Sequence, residues 1–557
     1  MRKVILALFA MSLAVAATAQ DIYSAVDISR NDYTGTARTM AMGNAFTAVG
    51  GDLGSIGLNP AGSAVAHYSQ FSFSPMLALS KASSAYAPTF DWYKGLTSTD
   101  FIGKTTPSSK SSGLRLPQFG GSFYVDLGHR RGGLTGISYA VLSTGTGSYF
   151  DSAIASGINN ETSITGFMAA GAEGIPENDL MASDAASYYP LNTVTAYKAY
   201  VISPLVAGGD SYIGAAEIID GAGNIVTGGP LHQTSKTVSA GYKNDLLFNV
   251  GLNFSDNFYL GFSLGVPNSS YSYTENFYEM AQNPEDFPLD DTFLDFSSYQ
   301  YRLSRSVNGI YGKFGLIFTP NDMIRFGAAF RTPTLYNVSE SWDVYQSVDY
   351  TYGQGNEWTE TGRYDYSIRS PYSANFGLAA TLMSRLLLSA DYELSDFSVM
   401  RFSDEYGTNF IPENTQNQMF LGMQHQFRVG AELRLTPSFS VRGGYNVTTS
   451  PIRYGENGLG ETIDAGSFDA STFMKMYNSG LLDSYSMQYS QDLVKALSFG
   501  IGYASEGAFF ADAAVKCTTF PNRNFLPYGD YIDAVPSPTV RTSRSLWNAM
   551  LTLGWRF

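Results

Sequence analysis

Residues 245–266 read DLLFNVGLNFSDNFYLGFSLGV. Leu246, Phe248, Val250, Leu252 and Phe254 alternate with Leu247, Asn249, Gly251 and Asn253. Ser255, Asp256 and Asn257 make a turn, and Phe258, Leu260, Phe262, Leu264 and Val266 then alternate with Tyr259, Gly261, Ser263 and Gly265. Side chains of a strand point alternately to opposite faces. A period of two on both sides of a three-residue turn therefore predicts a β-hairpin with one apolar face and one polar or glycine face.

The unit recurs along the chain. Phe314, Leu316 and Phe318 lead through TPND to Ile324, Phe326, Ala328 and Phe330. Phe376 to Leu382 turns at Met383-Ser384-Arg385 into Leu386 to Tyr392, and Phe427 to Leu435 turns at TPS into Phe439 to Tyr445. Leu497 to Tyr503 turns at SEG into Phe509 to Val515, and an earlier pair flanks HRRGG. Long polar segments separate these hairpins, near 81–118, 145–240, 273–302, 339–362, 403–419, 450–494 and 518–544. With a first strand near 68–80 and a last at 545–557, the count is about 14 strands, with six short turns and seven long loops in strict alternation. Short turns at one end and long loops at the other predict an all-β fold, a membrane-spanning antiparallel β-barrel.

Composition agrees. Aromatic residues make up 14% of the 557 residues and charged residues only 15%, where a soluble domain carries about a quarter. Past the first twenty residues no apolar run reaches 18, so no transmembrane helix is expected. Those first residues, MRKVILALFAMSLAVAATAQ, have a basic start at Arg2 and Lys3, a short apolar stretch and the small-x-small triplet Ala17-Thr18-Ala19. They read as a signal peptide, 1–19, cleaved after Ala19. Export plus a barrel places the mature chain in a bacterial outer membrane, with the lipid bilayer and lipopolysaccharide as surroundings. The net charge of −15 falls to −17 without Arg2 and Lys3, which excludes nucleic acid as a partner because its phosphates would be repelled. Cys517 is the only cysteine, so there is no intrachain disulfide.

The last strand, LWNAMLTLGWRF, puts Trp547, Ala549, Leu551, Leu553, Trp555 and Phe557 on one face. Trp555 and the terminal Phe557 resemble the signal read by the barrel-assembly machinery.

If the apolar face meets lipid, the other face lines the lumen. It carries Lys313, Arg325, Arg331, Asp391, Glu393, Arg428, Glu432, Arg434, Arg442 and Asp512. Both signs in one lumen imply ion pairs across the wall and to whatever fills the barrel. Glycines recur on the same face, among them Gly251, Gly261, Gly315, Gly327, Gly377, Gly430, Gly444 and Gly500, and glycine there leaves room for another backbone. Fourteen strands enclose more space than their own side chains fill. Residues 20–67, before the barrel at 68–557, are the candidate N-terminal hatch, or plug. They include MGNAFTAVGGDLGSIGLNPAG (42–62), six of whose 21 residues are glycine. As a phosphate loop this stretch fails, because no three of its glycines fall at i, i+2 and i+5.

TARTMAMGNAFTAVGGDLGSIGLNPAG resembles the N-terminal hatch of the FadL-like family of outer-membrane transporters for long-chain fatty acids and other hydrophobic compounds. The likeness is strongest at Met42-Gly43, Ala48-Val49, Asp52 and Asn59-Pro60-Ala61-Gly62, and FRTPT (330–334) is similar to a recurring segment of that family. The resemblance implies a barrel of 14 strands closed by the hatch, with Gly43, Phe46, Gly50, Gly51, Asp52, Asn59, Pro60 and Ala61 as hatch or gate residues. It also implies passive uptake of a hydrophobic small-molecule ligand, caught by outer loops and moved through the hatch or a lateral opening in the wall. Among the loops, PENDLMASDAAS (176–187) is helix-like. DASTFMKMYNSGLLDSYSM (469–487) would offer Phe473, Met474, Met476, Leu481 and Leu482 as an apolar capture surface.

Motifs for other chemistry dissolve. GFSLG (261–265) matches the nucleophile elbow but lies mid-strand, with no strand-to-helix turn. His67, His129, His232 and His425 are scattered without metal-ligand spacing, and PEDFPLDD (284–291) lacks the register of a calcium loop. No catalytic residue, metal site or cofactor is expected, and the chain does not read as an enzyme. The alternative to transport is a barrel of the same fold acting as a surface-binding or secretion-shuttle protein.

Overall fold

The computed structural model describes residues 22–88, 109–128, 133–289, 292–351, 356–456, 462–464, 486–489, 492–528, 535 and 537–557. Fourteen antiparallel strands close into one barrel. They are β1 (Gln70–Ala87), β2 (Ser109–Asp126), β3 (Leu134–Ser148, continued by Asp151–Asn159), β4 (Leu231–Phe254) and β5 (Phe258–Ala281). Next come β6 (Thr292–Phe318), β7 (Ile324–Arg331, resuming at Leu335–Tyr350), β8 (Asn356–Arg369 and Ser373–Leu382) and β9 (Leu386–Asp396 and Arg401–Asp404). The circuit ends with β10 (Met423–Arg434), β11 (Phe439–Thr449), β12 (Leu493–Ala504), β13 (Phe509–Thr519) and β14 (Thr539–Arg556). Each strand pairs with the next, and β14 pairs with β1 from Gln70↔Arg556 to Ala87↔Thr539, so the sheet has no outer edge over that length.

The opening hairpin forms as its alternation predicts: β4 and β5 pair from Phe254↔Phe258 upward, with Ser255 and Asp256 at positive φ in the turn. Its even-numbered apolar residues point outward, and Phe248, Val250, Phe262, Phe314, Phe326, Phe376, Phe427, Val429, Phe499 and Ile501 all stay exposed. Such a belt on a closed barrel is the surface of a membrane-spanning protein.

The strands are longer than the membrane requires. A strand tilted at 45° crosses an apolar band of about 25 Å in roughly 35 Å, whereas the 24 residues of β5 run about 80 Å at some 3.3 Å each. Much of what the sequence reads as loop is therefore strand. β1 runs to Ala87, β5 to Ala281 and β7 to Tyr350, while β6 begins at Thr292, β8 at Asn356 and β14 at Thr539. The apolar belt stops near Val266, and beyond it Asn268, Ser270 and Ser272 face outward.

The 145–240 segment holds the rest of β3 and a small cap made of α4 (Ile164–Ala172), α5 (Glu177–Met181), α6 (Leu191–Lys198) and two short hairpins. The helix expected at 176–187 is present as α5 and a 3-10 turn, Ala185–Ser187. Ile164, Met168, Leu180, Val194 and Tyr212 of the cap pack on Leu231, Phe277 and Val348 of the barrel and on Phe287 of the β5–β6 connection.

Residues 22–66 precede β1. α1 (Ile22–Ser29) buries Ala25, Val26 and Ile28 against Tyr336, Ile368, Phe402 and Phe420. α2 (Ala37–Ala41), α3 (Leu53–Ile56) and a 3-10 turn, Pro60–Ser63, follow. All three helical pieces are capped by their own side chains: Thr36 accepts from the Thr39 N–H, Asp52 from Gly54 and Asn59 from Ala61. Caps of this kind contribute about 1 kcal/mol each. They let a segment too short in each piece for a stable free helix keep its shape against a wall.

Candidate functional site

The turn end of the barrel interior is filled by residues 36–66. Met42, Phe46, Val49 and Leu58 pack with Ala379, Leu53 and Ile56 with Leu142, Leu247 and Tyr311, and Ala61 and Ala64 with Tyr259 and Ile317. A fully buried Met, Leu, Ile or Phe contributes about 1.5–3 kcal/mol.

The wall's inward glycines make this fit possible. Gly251, Gly261 and Gly315 face one another on β4, β5 and β6. A side chain on the last two would run into Pro60 and Asn59. Gly327 and Gly377 receive Thr47 and Ala48, Gly430 and Gly444 receive Met42 and Gly43, and a Cβ on Gly500 would lie 2.6 Å from the Ala41 Cβ. The segment's backbone thus rests on a belt of wall backbone.

Nine of the ten inner-face charges named from the sequence meet this segment or the network that holds it. Arg38 makes a two-point contact with Glu432, Nε to Oε2 2.8 Å and Nη2 to Oε1 3.1 Å. Glu432 also accepts from Arg442 Nε at 2.6 Å, and Arg442 pairs with Asp512. Asp391 accepts from the Thr47 N–H at 2.7 Å, Lys313 Nζ donates to Gly57 O at 2.7 Å, and Arg325 Nη1 donates to Val49 O at 2.8 Å. Arg428 pairs with Glu393 and lies over the Tyr33 ring. Arg331 lies over Tyr311, with Asp245 at 3.9 Å. Arg434 is the exception. It sits at the exposed end of β10, two residues past the buried Glu432.

The proposed hatch residues occupy distinct places. Gly43, Gly50 and Gly51 take positive φ, and Gly51 N–H donates to Gly62 O at 2.9 Å. Phe46 is fully buried. Asp52 also accepts from Thr36 Oγ1 at 2.7 Å. Asn59 Nδ2 donates to Thr47 O at 2.7 Å and to Leu316 O at 3.0 Å, while its Oδ1 accepts from Ala61.

Above this filling, the wall has a side gap. β2 and β3 pair only from Phe119↔Ser143 to Asp126↔Gly136. Beyond that, β2 stays with β1 as far as Ser109, and Thr144–Ser148 of β3 stay with β4. The edge that β3 exposes is taken from inside by residues 32–34: Asp32 N–H donates to Thr146 O and Thr34 N–H to Gly145 O, both at 2.8 Å. Arg115 of β2 reaches across the gap to the Gly241 and Gly147 carbonyls, with its guanidinium 4.2 Å from the centre of the Phe150 ring. On the outside Leu114 is 80% exposed.

Three cavities share walls and lead to this gap. A chamber of about 700 Å³ lies at the loop end, lined by Tyr271, Tyr273, Tyr299, Tyr301, Trp342 and Glu275 with cap residues 186–192. A waist of about 160 Å³ shares Asp151, Ser239, Tyr271 and Arg523 with it, and adds Asp27, Arg30, Asp32 and Lys516. A side pocket of about 260 Å³ shares Asp32, Gly147 and Ser148 with the waist and is bounded by Leu114, Arg115, Leu116 and Pro117. Lys516 Nζ is 2.7 Å from Asp32 Oδ1, which ties the waist to β13. Outside the membrane belt, burial pushes the carboxyls of Glu275 and Glu279 up to about 7.

Several residues here go unnamed in the sequence reading. Lys243 donates to the Ile28 and Arg30 carbonyls, and Asp245 accepts from Tyr311. Both continue the odd-numbered inner face of β4 by one or two steps, as Lys516 continues Asp512, so extending the alternation would find them. Phe473, Met474, Met476, Leu481 and Leu482 lie outside the described residues, as do His129 and the proposed signal peptide. Ser263 of GFSLG is buried in the wall, 3.0 Å from Asn249 Nδ2. Trp555 packs beside Phe73 and Phe509, and Phe557 N–H donates to Ser69 O at 2.8 Å. Among the described residues no group of three or more His, Cys, Asp or Glu side chains gathers as a metal site.

No protein-family model and no curated protein matches the chain. Solved structures similar to it include a Pseudomonas aeruginosa FadL homologue, at 12% identity and a TM-score of 0.48 over 94% of this chain and 98% of that one. The Ralstonia pickettii toluene transporter TbuX matches at 14% and 0.42 over 94% and 98%. The Pseudomonas putida toluene transporter TodX matches at 11% and 0.44 over 94% and 99%. The likeness is distant, and the barrel rests on this chain's own strand pairing.

Proposed function

We propose that this chain is an outer-membrane channel for hydrophobic small molecules, which enter the loop-end chamber and leave sideways through the gap between β2 and β3. The observation that carries the reading is the run of three wall-sharing cavities ending where strand pairing stops. A sheet edge left open at membrane depth costs unpaired backbone groups unless it is covered or lines a cavity. Here the edge is stopped from inside by residues 32–34 and bridged by Arg115. Lateral release also suits an apolar cargo, which enters the bilayer without crossing water. The direct path along the barrel axis is blocked by residues 36–66, whose many polar anchors favour a fixed hatch over one that leaves.

Long-chain fatty acids and monoaromatic compounds are the ligands to try first. A reversible staple tests the route. A Cβ on Gly145 would lie 2.8 Å from the Pro117 Cβ, so Pro117→Cys with Gly145→Cys, in a Cys517→Ser background, joins β2 to β3 by a disulfide after a small adjustment. Uptake of labelled oleate or toluene by cells carrying the oxidised staple should drop to the level of cells without the gene, and return on reduction. Uptake that ignores the staple would exclude the side route. Uptake equal with and without the gene would exclude transport of those compounds.

A further inference from the structure

The chamber is not built like a slot for an alkyl chain. Tyr271, Tyr273, Tyr299, Tyr301 and Trp342 turn inward from β5, β6 and β7. Neighbouring strands fix some of these rings: a side chain on Gly362 would strike the Trp342 indole, and Tyr271 is packed edge-on by Tyr149 at 5.0 Å and faced by Arg305 at 5.1 Å. Among them stands Glu275, whose carboxylate accepts from the Tyr273 hydroxyl at 3.1 Å. It has no ion pair among the described residues. One donor leaves most of its acceptor sites free. Arg305, by contrast, is already paired with Glu340.

We infer that the chamber selects a planar ring compound bearing a neutral hydroxyl, such as a phenol, with the ring between the tyrosine and tryptophan faces and the hydroxyl donating to Glu275. This deepens the transport reading above and rests on it for the ligand's onward path. Each alternative meets a specific cost. A plain hydrocarbon leaves Glu275 desolvated with nothing new to accept from, and a site built around such a group rejects the analogue that lacks the partner. A carboxylate brings like charge to Glu275. A cation meets the guanidinium of Arg523, which lines the same chamber and whose positive charge reaches Glu275. A neutral donor meets neither objection, and the ring faces add stacking that a flexible chain cannot match.

Calorimetric titration of the full-length protein in detergent tests this with 4-ethylphenol, ethylbenzene and dodecanoate. In the wild type, 4-ethylphenol should bind about tenfold more tightly than ethylbenzene, the yield of one hydrogen bond, and dodecanoate should not displace it. Glu275→Leu should erase that difference by tightening ethylbenzene binding and weakening that of 4-ethylphenol, and Glu275→Gln, which keeps an acceptor, should retain most of it. Migration of the folded band on an unheated gel reports that each variant has folded. Equal affinity for the two ring compounds, displacement by dodecanoate, or a Glu275→Leu variant that still prefers the phenol would each overturn the inference. Because binding is read without transport, the outcomes separate. Preferential phenol binding with staple-insensitive uptake of labelled phenol removes the side route and keeps the chamber, and staple-sensitive uptake without that binding preference removes the chamber alone.

Discussion

Arg38 and Glu432 are joined by two parallel contacts of 2.8 and 3.1 Å, one residue on the lumenal segment and the other on the wall strand β10. The geometry is the fork-on-carboxylate arrangement that gives arginine its strongest pairing, and Arg442 holds the far side of the same carboxylate. Arg38→Ala should loosen the segment without unfolding the barrel. The loss should fall below the roughly 3–5 kcal/mol of a fully broken buried pair, because Glu432 keeps Arg442. Planar-bilayer recordings should show more frequent conducting events than the wild type, and cells should become several-fold more sensitive to a bulky glycopeptide antibiotic. Arg38→Lys, a point charge without the fork, should fall between. Unchanged conductance with normal barrel levels would mean that the pair does not hold the segment.

Asn59 is the second fixed point. One side chain satisfies Thr47 O, Leu316 O and the Ala61 N–H. Asn59→Ala takes the partner from the buried Ala61 N–H and Thr47 carbonyl and the extra donor from the Leu316 carbonyl, at about 1–3 kcal/mol for each group left unpaired. Asn59→Asp keeps the bond from Ala61 but turns a donor into an acceptor facing two carbonyls. Both variants should raise antibiotic permeability, with Asp the more severe, and the gel shift of the folded barrel should be unaltered.

The glycine belt gives a sharper test because neighbouring residues act as controls. Gly444 faces inward, and a side chain there would overlap Met42 and Gly43. Gly443 faces out, and a Cβ there would first meet Phe499 at 3.8 Å. Gly444→Val should displace residues 40–45 and open the adjacent Arg38–Thr39 bond to trypsin, while Gly443→Val should be tolerated. Equal protease resistance in the two would show that the close fit carries no weight.

How much of this was legible in the sequence depended on where water lies. In 245–266 the outer face meets lipid, so Phe248 and Phe262 stand out against Asn249 and Ser263, and both register and turn can be read directly. Six residues farther along β5 the outer face meets water. Ser270 and Ser272 there are as polar as a loop, although Tyr271, Tyr273 and Glu275 still alternate inward, and the strand reads as loop. Arg434 failed for a related reason: parity says which face a residue is on, but not that the strand has already left the packed interior. The side gap was invisible because it is a relation between strands. β2 keeps its alternation and its pairing to β1, and only the clustered Pro117, Gly120, Gly145 and Gly147 hint that β2 and β3 part company. The chamber needed the tertiary structure, since its rings come from strands separated by up to about seventy residues.

Arg115 bridges the gap to the backbone beyond it, donating to Gly241 O and Gly147 O. Arg115→Ala should widen the opening and speed the initial uptake of labelled ligand. Arg115→Lys should reach one carbonyl at most and give a smaller gain. A fall in uptake would instead assign Arg115 to holding the ligand.

Glu279 links the cap to the barrel and makes that link pH-dependent. Its carboxylate accepts from Ser163 Oγ at 2.6 Å, the Ile164 N–H at 2.9 Å and Gln233 Nε2 at 2.6 Å, at the N-terminus of α4. Burial nonetheless pushes its pKa up from 4.5 to about 7. The folded state therefore holds the proton over a range where the unfolded state has lost it. The contribution is complete below about pH 4.5 and is lost as pH rises through 7, on the order of 3 kcal/mol at 1.36 kcal/mol per unit. Hydrogen exchange of α4 amides, corrected for intrinsic rates, should show greater protection at pH 5 than at pH 8. Glu279→Gln, neutral throughout and still able to accept from Ile164, should keep high protection at both. A cap whose protection rises with pH would reverse the sign and assign the carboxylate, rather than the carboxyl, as the form that holds α4.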